Sequence, residues 1–237
     1  MSDQAITIPE RLGPRMFLVV LILTILATNS GTWVSGQPAL QAAGGTFNFG
    51  GAAPGTVVFV VWRAESATPG PFRFQLQGPL GWNAGNPHTF EAVTNRGAGS
   101  HWNIWGFRSI SPIVGAYTVT SVIDGRTMEA SFSTSSLQVL ARPSVRIPSA
   151  SRERVSLIWT AVPGAVSYLV LLTEISTSKR VAVHFTREPA HTFEGLTLAP
   201  GRYFVRVGAL PIDVTEPVAT LPQQVNGSQR DEEFTIR

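Results

Sequence analysis

Two hydrophobic patterns divide the chain. Met16 to Ala27 (MFLVVLILTILA) is an apolar run with no polar face, whereas from Phe47 onward apolar and polar positions alternate with a period of two. Phe72, Phe74 and Leu76 alternate with Arg73, Gln75 and Gln77. Tyr117, Val119, Ser121 and Ile123 alternate with Ala116, Thr118, Thr120 and Val122. Successive side chains of a strand point to opposite faces, so each segment predicts a strand with one face buried. Asp124-Gly125 separates GAYTVTSVI from RTMEASFST and reads as the two-residue turn of a hairpin. After residue 30 no helical period persists beyond a turn. Strands at regular spacing, punctuated by Gly and Pro, predict a β-sandwich or barrel.

The first apolar run has its own logic. Arg11 and Arg15 precede it and Thr28-Asn29-Ser30-Gly31 follow it, the basic, apolar and small-residue order of an export signal. Cleavage is expected after Ser30 or Gly36. The run is shorter than the roughly 20 residues that cross a hydrocarbon core, unless it is extended to Val34. In that case residues 16–34 are an uncleaved anchor and give membrane association. Gln37 stands where a lipoprotein signal would need cysteine. Residues 1–36 are therefore a signal peptide or signal-anchor helix, and the remainder is expected outside the cytoplasm, secreted or in the cell envelope.

Length adds a domain count: 237 residues suit two domains. With 43% hydrophobic and only 14% charged residues, the chain is a packed protein rather than a disordered one. The net charge of +3 is spread along the chain and Lys179 is its only lysine, so nucleic acid is not an expected partner. Zero cysteines exclude disulfides, Cys-ligated metals and thiol nucleophiles.

The C-terminal part carries a family pattern. Val155, Leu157 and Trp159 are followed by Pro163-Gly164-Ala165 and Tyr168, and then by LTLAPGRYFVRVGA from Leu196 to Ala209. From about Pro143 to Arg237 this closely resembles a fibronectin type III domain of bacterial exported proteins. The resemblance implies a sandwich with Trp159 between its sheets and Tyr203 in a tyrosine corner, its hydroxyl bonded to upstream backbone. The N-terminal part repeats the pattern more loosely and resembles a bacterial immunoglobulin-like or fibronectin-like sandwich. Trp62-Arg63-Ala64 with Pro69-Gly70 is similar to Trp159-Thr160-Ala161 with Pro163-Gly164, and Gly115-Ala116-Tyr117 to Gly201-Arg202-Tyr203. Duplication is the economical reading. Ala141-Arg142-Pro143 and Ile147-Pro148 read as a short, stiff linker. The fold class is all-β, two tandem immunoglobulin-like β-sandwiches over 37–141 and 142–237.

Candidate chemistry is sparse. His184 and His191 bracket Glu188, and Glu194 follows, but no ligand spacing fixes them on one face, so no metal is expected. No GxSxG turn accompanies the serines. Asp231-Glu232-Glu233 reads as a solvated approach to the last strand, and Asn226-Gly227-Ser228 as a turn rather than a glycosylation sequon. No catalytic residue and no cofactor are expected.

Aromatic and apolar residues point to binding. Between His101 and Phe107, Trp102 and Ile104 share one face while Trp105 and Phe107 share the other, and only one face can be core. Trp105 and Phe107, with Trp82 on a Gly-rich loop, are candidates for a stacking platform. The segment between Ala209 and Phe234 exceeds a hairpin loop and offers Ile212 and Val214. Finally, if Tyr168, Val170, Leu172, Tyr203, Val205 and Val207 face inward, then Leu169, Leu171 and Phe204 form an outward apolar patch. This patch is expected to pack on the N-terminal domain, the 210–229 segment or a partner. The expected function is a non-catalytic binding or scaffolding protein of the bacterial cell envelope, its partner an envelope protein or polysaccharide. The alternative is a polysaccharide-active hydrolase, or its carbohydrate-binding accessory, with the site in the Trp-rich N-terminal domain.

Overall fold

The computed structural model describes residues 20–21, 40–51, 53–64, 71–82, 87–92, 99–108, 110–215 and 224–237, and among them every regular element is a strand. The N-terminal set comprises β1 (Val20–Leu21), β2 (Leu40–Asn48), β3 (Gly55–Ala64), β4 (Phe72–Gln77), β5 (His88–Ala92), β6 (Gly99–Phe107), β7 (Gly115–Ile123) and β8 (Arg126–Thr134). The C-terminal set comprises β9 (Val145–Ala150), β10 (Val155–Trp159), β11 (Ser167–Glu174), β12 (Arg180–Thr186), β13 (Ala190–Phe193), β14 (Gly201–Leu210) and β15 (Gly227–Ile236). The expected signal or anchor helix falls outside the described residues. Only Val20 and Leu21 of it are described, paired with Trp105 and Ile104 at the edge of β6.

The alternation read from the sequence is the burial pattern observed. Phe72, Phe74 and Leu76 of β4 are buried while Arg73, Gln75 and Gln77 are exposed. Asp124 and Gly125, at φ of 49° and 74°, close the β7–β8 hairpin with the twist that a two-residue turn requires.

Both halves share one strand order. In the N-terminal half β2-β3-β6 faces β5-β4-β7-β8, and in the C-terminal half β9-β10-β13 faces β12-β11-β14-β15. Numbered within each half, with the short edge strand β1 left out, the sheets are first-second-fifth and fourth-third-sixth-seventh. That is the fibronectin type III arrangement, present twice. Trp62 lies in the second strand of its half and Trp159 in the second strand of the other, 1% and 6% exposed. The sixth strands match as well: Tyr203 donates to Ala199 O at 2.9 Å, and Tyr117 donates to Ile113 O at 2.7 Å while accepting from Ile113 N. Tyr117→Phe is expected to cost about 1 kcal/mol in denaturant unfolding, because it removes this corner but keeps the ring stacked on Phe132. An unchanged midpoint would show the corner to be dispensable.

Three expectations about the segments between strands change. Ile147-Pro148 belongs to β9 rather than to a linker, on an edge where a missing N–H costs no ladder bond. Asp231-Glu232-Glu233 lies inside β15, where Asp231 and Glu233 pair with Arg206 and Arg202. Asn226-Gly227 is no turn: Gly227 begins β15, and a Cβ there would lie 2.5 Å from the Phe47 ring.

Candidate functional site

The apolar composition of β3 explains what joins the two sandwiches. Its sequence TVVFVVW is apolar on both faces, the mark of a strand covered twice. Val58, Val60 and Trp62 fill the N-terminal core, whereas Val57 and Phe59 point out of it. Ala43 and Phe47 of β2 and Ile104 of β6 share that outer face. Against it lie Leu169 and Leu171 of β11, with Leu210 at the end of β14, Ile212 and Val214 after it and Val225 before β15. Half-buried Val183 and Phe185 of β12 complete the cluster, Phe185 meeting Trp102 edge-on at 5.6 Å. Packing is close: the cavity among Phe47, Val57, Ile104, Leu169 and Arg206 is about 30 Å³.

Backbone pairing makes the junction continuous. β15 runs parallel to β2 at Gly227–Phe47 and Ser228–Asn48, and Val225 N donates to Gly44 O at 2.9 Å. The sheets of the two halves thus form one, β1-β6-β3-β2-β15-β14-β11-β12. Side chains before and within β15 secure the approach. Asn226 Oδ1 accepts from Thr46 N at 3.0 Å, Gln224 Oε1 accepts from Ser135 N at 2.9 Å, and Gln229 Nε2 donates to Phe49 O at 3.2 Å. The connecting segment is tied to the same strand, through Ser228 Oγ donating to Ala141 O and Arg142 Nε donating to Gln229 O.

One ion pair sits within this apolar surround. Arg206, 6% exposed, is held by Asp231 through Nε and Nη2 at 2.8 and 2.7 Å. Its guanidinium lies 5.3 Å from the Phe204 ring. Burial and then the charge of Arg206 hold Arg108 and Arg180 below the usual arginine range, and for Arg108 the carboxylate of Asp231 opposes both.

The residues singled out in the sequence divide accordingly. Leu169, Leu171, Ile212 and Val214 are buried together in the junction at 4%, 3%, 7% and 1% exposure. The outward face of the β11–β14 sheet is thus covered by the N-terminal sandwich and by the segment following β14. Phe204 is only half-buried and outside the cluster, because its row, Thr173-Phe204-Glu233, lies one step beyond the covered row Leu171-Arg206-Asp231. Arg206 takes the place expected for it.

Trp82, Trp105 and Phe107 form no exposed platform. They are 3%, 3% and 6% exposed in the N-terminal core. Strand β6 is covered on both faces, Trp105 stacking on Phe90 inside while Ile104 meets the other sandwich outside. The sequence reading did not select Ala43, Phe47, Val57, Phe59, Val183 or Phe185. The signal was there in the two-faced apolar run of β3.

A second surface stays open. The outer face of β4 and β7 carries a groove of about 700 Å³ lined by Arg73, Gln75, Thr120, Val122 and Thr127, the counterpart of the face that is apolar and covered in the C-terminal half.

No protein-family model matches the chain, and no curated protein does. Among solved structures it is similar to the fibronectin type III domain of human collagen alpha-1(XX) chain, 21% identical over 43% of this chain and 88% of that one, TM-score 0.31. A two-domain fibronectin type III segment from chicken tenascin is 13% identical, covering 76% and 91%, TM-score 0.32. Domains A168–A170 of titin are 16% identical, covering 76% and 75%, TM-score 0.31. Both halves are fibronectin type III-like in strand order and in their paired tyrosine corners.

Proposed function

We propose that this chain is an exported, non-catalytic binding or scaffolding protein of the bacterial cell envelope whose two sandwiches act as one rigid body. The observation that carries this reading is the junction. An apolar sheet face that would otherwise call for a partner is used to dock the sandwiches, and a shared sheet removes the freedom of a linker. A rigid two-domain unit holds its remaining surfaces at a constant separation, which suits positioning a partner. Export is supported by Arg15 and the apolar run behind it.

A second reading, a polysaccharide-binding accessory, is favoured by the open groove with its amide and hydroxyl lining. One experiment separates them: fractionate the native host, take the intact mass, and offer the purified chain to insoluble cell-wall polysaccharide. Export predicts a chain beginning near Gly31 or Gln37, or a full-length chain in the membrane if residues 16–34 are retained. A full-length chain in the cytosol overturns the reading. Retention on polysaccharide that Gln75→Ala abolishes would favour the accessory reading over protein scaffolding.

A further inference from the structure

The C-terminal sandwich is closed on one flank by two ionisable rings. His184 of β12 lies opposite Val170 of β11, and His191 of β13 lies opposite Leu157 of β10. Val170 and Leu157 are core residues, so both imidazoles also point inward, from the edge strands of two different sheets. Their rings stack face to face, centroids 3.6 Å apart and 9° from parallel, with Phe193 edge-on to His191 at 4.5 Å. Strand β12 has a second duty. On its opposite face Val183 and Phe185 pack into the junction, where Phe185 meets Trp102 of the N-terminal sandwich.

We propose that the His184–His191 stack is an acid-sensitive latch. Neutral, it holds β12 against β13; protonated, it lets β12 part from the sandwich and loosens the domain docked on its other face.

Both rings are half-buried, and the protein side of the stack disfavours charge. Val170 of β11 lies across from His184, Leu157 of β10 across from His191, and Phe193 of β13 meets His191 edge-on, all apolar. The charged residues flanking it along the chain are Arg180, Arg187, Glu188 and Glu194. Arg187 pairs with Asp213 and Glu194 with Arg154. Neither imidazole draws a shift from any of them. Burial lowers both histidines, and for His191 the charge of His184 adds to burial, taking it to about 4. Among the described residues no third histidine or carboxylate joins the pair, so its chemistry is proton uptake rather than chelation.

The sign follows from linkage. An unfolded histidine binds its proton near pH 6.5, more readily than this pair does. The stabilisation by the neutral pair is complete above about pH 6.5 and is lost as pH falls toward about 4. Asp213, held below the usual carboxylate range by Thr215 and by Arg187, yields only further down.

Hydrogen exchange of the full chain at pH 7 and pH 4.5, corrected for intrinsic exchange, tests the latch. Protection of β12 and β13 amides is expected to fall at least tenfold while that of β14 holds. A His184→Phe, His191→Phe variant is expected to keep its protection, and His184→Gln, His191→Gln serves if the rings do not fit. Because the chain has no cysteine, Thr127→Cys and Arg146→Cys can carry labels that read the separation of the sandwiches. Their distance distribution is expected to broaden at pH 4.5 in the wild type alone. Protection independent of pH, or a fall that persists in the neutral variants, overturns the latch. A fall in β12 with unchanged label separation overturns its coupling to the junction.

Discussion

Trp82→Ala is expected to destabilise the chain by about 3–5 kcal/mol, the range for emptying a large aromatic from a core. Trp82 sits in a tight turn whose backbone N donates to Pro79 O at 2.9 Å, with Gly81 at φ of 82°. From there the indole folds back under the loop. Its Nε1 donates to Thr56 Oγ1 at 3.1 Å, and its ring meets Tyr117 and Phe107 edge-on at 5.3 and 5.8 Å. The ring lies directly against Gly78, where a Cβ would come within 2.5 Å of it. Trp82→Phe should recover most of the loss, short of about 1 kcal/mol for the indole bond. Denaturant unfolding of the full chain measures both. A Trp82→Ala midpoint equal to wild type would mean that the indole does not fill the mouth of the sandwich.

Trp82 also shows where a sequence stops being legible. Strands β4 and β7 were readable because alternation is a local property: one face is wet and the next is dry. The fibronectin type III pattern was readable because its rings and turns recur at characteristic spacings. A Gly-rich loop carries no such period, and whether its tryptophan turns outward or inward depends on Gly78 and Thr56, which contact it only in three dimensions. The junction divides in the same way. The alternation of β11 placed Leu169 and Leu171 outward, and the doubly apolar β3 held the complementary signal, but nothing local says that one covers the other. The charge of Arg206 would point to solvent only if no carboxylate waited across the strand. Asp231 does, directly opposite in the β14–β15 register. His184 and His191 were grouped in the sequence, yet their meeting depends on the two edge strands facing each other across the sandwich.

The Arg206–Asp231 pair gives the other large expected effect, and its asymmetry is the informative part. Asp231→Ala is expected to cost about 3 kcal/mol, the lower end for stripping one partner from a buried pair, since the Asp231 side chain is 38% exposed while that of Arg206 is 7%. Without Asp231 the Arg206 guanidinium keeps its burial and its repulsion with Arg108 and Arg180, but loses both charge-assisted bonds. Arg206→Met behaves differently. It removes the buried charge, places a thioether among Phe47, Val57 and Leu169, and leaves Asp231 able to turn to water, so the expected change is within about 1 kcal/mol. Adding Arg206→Met to Asp231→Ala should therefore restore most of the lost stability, a coupling of about 2 kcal/mol in a double-mutant cycle. Because the Arg206 end of the pair is out of solvent, that coupling should weaken less with salt than that of an exposed pair such as Arg202–Glu233. If Arg206→Met proves as damaging as Asp231→Ala, the arginine holds the junction by its contacts rather than needing Asp231 to neutralise it.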